Sequence, residues 1–79
     1  MTPAATRRLN NTLTATQTRI AHQGPTYHLT QARDLWTAVK NLPNTATTGQ
    51  ITAAVSRANA ATAAAGLHHY TIGINLFTH

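Results

Sequence analysis

The clearest helical pattern in the chain lies between residues 45 and 67. At about 100° per residue, small and apolar side chains there fall on a single arc. They are Ile51, Ala54, Val55, Ala58, Thr62 and Ala65. Thr48 precedes this run as an N-cap candidate, and Gly66 follows it where a helix usually ends in a left-handed residue. The pattern predicts a helix over residues 49–65.

A second helical pattern occupies the N-terminal third of the chain. Thr2-Pro3 reads as an N-cap and first helical residue, and Gly24-Pro25 reads as a stop. Between these signals one side carries Leu9, Leu13, Thr16 and Ile20. Alternate threonines from Thr12 to Thr18 compete as a strand pattern. The capping signals favour a helix over residues 3–23.

The middle of the chain combines a short alternation with a third helical pattern. Tyr27 and Leu29 alternate with polar residues, which predicts a strand over 26–30. Thr30 is then an N-cap for a helix over 31–42, which Pro43 ends. Its apolar positions are Leu35, Ala38, Val39 and Leu42, and we expect the adjacent Trp36 to be partly buried.

Residues 68–77 change from a helical period to a period of two. One side carries Tyr70, Ile72, Ile74 and Leu76, which predicts a strand. The fold class expected for residues 1–79 is therefore a single α+β domain, mainly α, with three helices, a short strand before the second helix and a longer C-terminal strand. The predicted core contains Leu35, Val39, Leu42, Ile51, Val55, Ile72 and Ile74.

The charge balance indicates an anionic partner. Six Lys and Arg residues oppose a single acid, Asp34, giving a formal charge of +5. A small basic chain of this kind is typical of proteins that bind DNA, RNA or an anionic surface. Only 14 of 79 residues are Leu, Ile, Val or Phe. Such a thin core favours association, so we expect a homodimer whose contacts include the edge of the strand over 70–76.

The residue types argue against catalysis. One carboxylate cannot form a catalytic pair or a magnesium cage, and the absence of cysteine removes thiolate zinc sites. His68 and His69 would point to opposite faces of a strand, so we expect no shared metal. We predict no enzymatic activity, no cofactor and no metal. Without an apolar run that could span a membrane, a cytoplasmic protein is expected.

The opening of the second predicted helix and the end of the third carry a pattern of their own. The first reads Leu29-Thr30-Gln31-Ala32, and the second runs from Val55-Ser56-Arg57 to Ala65-Gly66-Leu67. With the order of elements, they resemble winged helix-turn-helix domains, in particular repressors of the multiple-antibiotic-resistance type. The turn over 44–48 is longer than usual for that family, and no second wing strand follows.

The resemblance implies that the third helix faces duplex DNA. Its DNA-facing residues would be Thr48, Gln50, Thr52, Ser56, Arg57 and Asn59, with Arg57 and Lys40 nearer phosphates than bases. The residues themselves support this reading, because Thr52, Ser56 and Asn59 form a short hydrogen-bonding stripe suited to base edges in a major groove. The sequence thus predicts a regulatory or architectural DNA-binding protein of viral or mobile-element type.

Three alternatives remain at this point. A strand followed by two helices is also the ribbon-helix-helix order, in which Thr26 and His28 would read the DNA. A non-enzymatic interaction or structural subunit, such as a virion component or an inhibitor that docks on a larger protein, suits the sparse charge. An RNA-binding accessory protein explains the charge equally well, but the sequence shows no stacking platform for single strands.

Overall fold

The computed structural model describes residues 1–78, which are helical in all their regular elements. The helices are α1 (Pro3–Gln23), α2 (Tyr27–Lys40), α3 (Thr48–Ala64) and the short α4 (Asn75–Thr78), with a 3₁₀ turn at His68–Tyr70. No strand occurs in this part of the chain. The predicted α+β class, with its winged-helix-like strands, is therefore wrong, and the fold is all-α.

Threonine begins each of the three long helices. The hydroxyl oxygens of Thr2, Thr26 and Thr47 accept hydrogen bonds from the backbone N–H three residues later, at 3.1, 3.3 and 3.1 Å. In α3 the side chain of Gln50 also accepts from the Thr47 N–H at 2.9 Å, completing a capping box. The N-cap of α3 is thus Thr47, one residue before the predicted Thr48.

The strand predicted over 26–30 is the first turn of α2. Thr26 caps the helix, and Thr30 lies inside it, where its hydroxyl donates to the Thr26 carbonyl at 2.9 Å. The buried side chains of α2 are Leu29, Ala32, Trp36 and Val39, a helical period that starts within the predicted strand. Tyr27, the other half of the two-residue alternation, is 71% exposed. The N-cap and the apolar face of the helix therefore outweigh a short alternation of polar and apolar residues.

The strand predicted over 68–77 is also wrong. Tyr70 closes the 3₁₀ turn and is 40% exposed, whereas Ile72 is buried, so the apolar positions do not share one side. The backbone here bonds to side chains, because Thr12 Oγ1 donates to the Tyr70 carbonyl at 2.8 Å and Asn59 holds Ile72. No strand in the described part of the chain lies beside this segment, so side chains of α1 and α3 form hydrogen bonds with its backbone groups. The strand edge expected to join a homodimer is absent from residues 1–78.

The three long helices and the C-terminal segment (residues 67–78) enclose the core. Helix α2 packs against α1 and α3, and the C-terminal segment contacts both α1 and α3. Trp36 is fully buried in this core and stacks on Phe77, with ring centroids 6.4 Å apart. The predicted core is confirmed in position: Val39, Val55 and Ile72 are buried, and Leu35, Leu42, Ile51 and Ile74 are half-buried against it.

Threonine also fills part of this core. The hydroxyls of buried Thr16 and Thr62 donate to carbonyls one turn earlier in their helices, at 2.8 and 2.7 Å. Thr62 Oγ1 also accepts the indole N–H of Trp36 at 2.7 Å. Because each hydroxyl has a partner, these polar groups are buried without the penalty of an unsatisfied hydrogen bond.

Candidate functional site

The surface of α3 that was predicted to face DNA is only partly open. Ser56 and Arg57 are exposed, while Thr52 is half-buried. Thr48 and Gln50 lie in the first turn, where the Gln50 side chain is used in the capping box. Lys40 is on α2 and lines a groove with Ile51 of α3. Beyond the first turn of α3, Ser56 and Arg57 are therefore the exposed members of the predicted DNA-facing set.

Asn59 is engaged inside the fold. Its Nδ2 donates to the Ile72 carbonyl and its Oδ1 accepts from the Ile72 N–H, both at 2.8 Å. An adenine edge would need this same donor and acceptor. Base reading by Asn59 stays a prediction, and it would require both bonds to the C-terminal segment to break.

A second surface, the side groove, lies between α1 and the C-terminal segment. Its volume is about 540 Å³, within the range of ligand-binding clefts. One wall is a single face of α1, and the other is formed by Leu67 and Tyr70. The α1 residues are Asn11, Thr14, Ala15, Thr18, Arg19 and His22. They recur at helical spacing, so a regular helix is sufficient to align them.

The Leu67–Tyr70 wall is fixed at several points. Gly66, at φ +82°, turns the chain back after α3, and the Leu67 N–H then donates to the Thr62 carbonyl at 3.0 Å. Thr12 holds the Tyr70 carbonyl at 2.8 Å, and Arg8 Nη2 donates weakly to the Thr71 carbonyl at 3.4 Å. The groove is thus formed by the fold itself and needs no ligand to assemble it.

The side groove is basic and hydrogen-bonding. Arg8 and Arg19 lie on the same side of α1, about 16 Å apart along the helix axis at 1.5 Å per residue. Between them Asn11, Thr14 and Thr18 supply amide and hydroxyl groups. The chain's single acid, Asp34, is on α2 and pairs with Arg33 at 3.0 Å. No acidic side chain therefore opposes an anion in this groove.

An apolar cleft, the end groove, lies at another place on the molecule. It has a volume of about 460 Å³ and is lined mainly by Met1, Val39, Leu42, Pro43, Ile51 and Phe77, with Lys40 among the polar residues. Such a surface can accept an apolar side chain of another protein. It lacks an arginine such as Arg19 and the row of hydroxyl groups that lines the side groove.

From sequence alone, Arg8 and Arg19 on a helix are indistinguishable from an ordinary solvated basic face. The helical spacing of Asn11, Thr14 and Thr18 was a usable signal, because it places them beside Arg19 on one face of α1. Nothing in the sequence indicated that Tyr70 would line this groove, because the predicted strand placed its side chain on the same side as Ile72.

Comparison with known proteins adds no assignment to these observations. No family model, curated protein or solved structure matches the chain. Within residues 1–78, no helix has the length and apolar character needed to cross a membrane, and no three His, Cys, Asp or Glu side chains are grouped as a metal site.

Proposed function

We propose that the protein is a small, non-enzymatic nucleic-acid-binding protein that holds phosphates along its side groove. One observation carries the proposal: Arg19 and His22 line a preformed cleft, with Arg8 on the same side of α1, in a chain of formal charge +5. Phosphate contacts supply most sequence-independent affinity for nucleic acids, and arginine is well suited to make them. We also propose that the protein binds nucleic acid in the cytoplasm.

The side groove supports this function better than α3 does. On α3, Ser56 and Arg57 are exposed to solvent, whereas the Asn59 side chain is hydrogen-bonded to Ile72. The side groove adds a concave shape, several hydrogen-bonding groups and positive charge in one place. Duplex DNA reading by α3 remains a separate hypothesis, and variants of Arg57 and Lys40 test it.

The end groove favours a second candidate function, an interaction subunit that binds an apolar segment of a larger protein. Its half-buried Leu42 and Ile51 and its buried Phe77 form a continuous apolar lining. Burial of apolar surface depends little on moderate salt, whereas phosphate binding weakens steeply as salt rises. Salt dependence therefore distinguishes the two functions.

The test is direct binding of a labelled oligonucleotide by fluorescence anisotropy between about 50 and 200 mM salt. We expect saturable binding, with log K falling linearly against log salt. If Arg19 and Arg8 each neutralise one phosphate of a single strand, the slope is about −1.4. Failure to bind single-stranded or duplex nucleic acid at the lowest salt would reject the proposal and leave the interaction subunit. Light scattering on the same samples measures the predicted homodimer.

A further inference from the structure

We propose that the ligand of the side groove is a single-stranded segment of nucleic acid, with one base stacked on Tyr70. This inference rests on the proposed function and names its substrate class. It assigns the groove to DNA or RNA strands whose bases are unpaired, and it makes Tyr70 the residue that contacts a base.

The first argument is the exposed aromatic ring on a basic cleft. Tyr70 is 40% exposed and lines the side groove opposite Arg19 and His22. Proteins that bind single strands combine a positively charged groove, which follows the backbone, with aromatic side chains on which bases stack. The other strongly exposed tyrosine, Tyr27, lies at the start of α2 and does not line this groove.

The second argument is the shape of the cleft. The groove is an open cleft with α1 on one side and Leu67 and Tyr70 on the other, so a strand that follows α1 passes beside Tyr70. In a duplex the bases are paired and stacked on each other, and their faces are closed to a tyrosine. A single strand can turn one base onto the ring while its phosphates stay near the arginines.

The third argument is that the backbone carrying Tyr70 is held in place. The Tyr70 N–H donates to the Leu67 carbonyl at 2.9 Å, and its carbonyl accepts from Thr12 Oγ1 at 2.8 Å. With the backbone bonded on both sides, little ordering of the main chain is needed when a base arrives. Asn11, Thr14 and Thr18 face the same space and can donate to phosphate or base oxygens.

The experiment compares Tyr70→Ala with Tyr70→Phe in the full chain. The probes are a labelled oligothymidylate and an oligouridylate of about fifteen nucleotides, and a duplex of equal length. Tyr70→Ala should weaken single-strand binding by about 5- to 150-fold, the effect of losing one stacked base. Tyr70→Phe keeps the ring and should bind within about twofold of the parent. The oligothymidylate and oligouridylate arms separate DNA from RNA as the source of the strand.

Each outcome bears on one claim. Tighter binding to single strand than to duplex, lost in Tyr70→Ala and kept in Tyr70→Phe, supports the inference. Preference for duplex, or equal binding by Tyr70→Ala and the parent with unchanged Trp36 fluorescence, overturns it while nucleic-acid binding stands. Absence of binding to all three probes overturns the proposed function as well.

Discussion

The side-chain amide of Asn59 joins α3 to the C-terminal segment. Its position off the apolar arc of α3 suggested a solvent-facing group. In the structure its amide forms a two-bond clamp on the Ile72 backbone, which brings buried Ile72 into the core. The clamp replaces the ladder bonds that a strand would have provided.

Replacement of Asn59 by alanine should therefore lower stability. It leaves the Ile72 N–H and carbonyl without partners, so we expect a loss of about 1–3 kcal/mol in the free energy of unfolding. Exposed Ser56, on the same helix, is the control, and Ser56→Ala should change stability by less than about 0.5 kcal/mol. Urea denaturation followed by Trp36 fluorescence measures both. Equal effects of the two variants would show that the clamp is not formed in solution.

Local helix signals account for most of what the sequence predicted correctly at the level of elements. Thr2, Gly24 and Gly66 act through backbone groups next to them, so α1 and the end of α3 were found closely. The failure at 26–30 reflects a short alternation that belongs to the first turn of a helix capped by Thr26. The failure at 68–77 has another cause: an alternation becomes a strand only if another strand pairs with it. Whether a partner exists is decided by packing far away in the chain, here by Thr12 and Asn59.

The two glycines of the α3 region should respond in opposite directions to alanine. Gly66 has φ +82°, a conformation that costs a residue with a side chain about 1–2 kcal/mol. Gly49 lies within α3, where an added Cβ would meet only Thr47 Oγ1 at 3.9 Å, an ordinary contact. Gly49→Ala should stabilise the protein by about 0.5–1 kcal/mol. Thermal denaturation of both variants checks this, and destabilisation by Gly49→Ala would contradict the helix assignment there.

At the scale of the whole molecule, the distribution of charge is the reason for proposing the side groove as the binding surface. The net positive charge and the single acid can be read from the sequence, but a linear chain does not show that Tyr70 returns to α1. The side groove joins residues more than forty positions apart, such as Arg19 and Tyr70. The hypothesis of a site on α3 could be formed mainly from residues along one helix. The side groove could not be predicted in that way, because it forms only where Leu67 and Tyr70 lie beside α1.

The most direct measurement compares two double variants that remove the same charge from different surfaces. Arg8→Ala/Arg19→Ala removes the groove arginine Arg19 and the arginine farther along the same side of α1. Lys40→Ala/Arg57→Ala removes the cations predicted to lie near the phosphates of duplex DNA. Single-strand binding is measured against salt for both. We expect the first variant to bind at least about tenfold more weakly, with the salt slope reduced by about 1.4, and the second to stay closer to the parent. An equal loss in both variants, or a larger loss in the second, would contradict binding through the side groove.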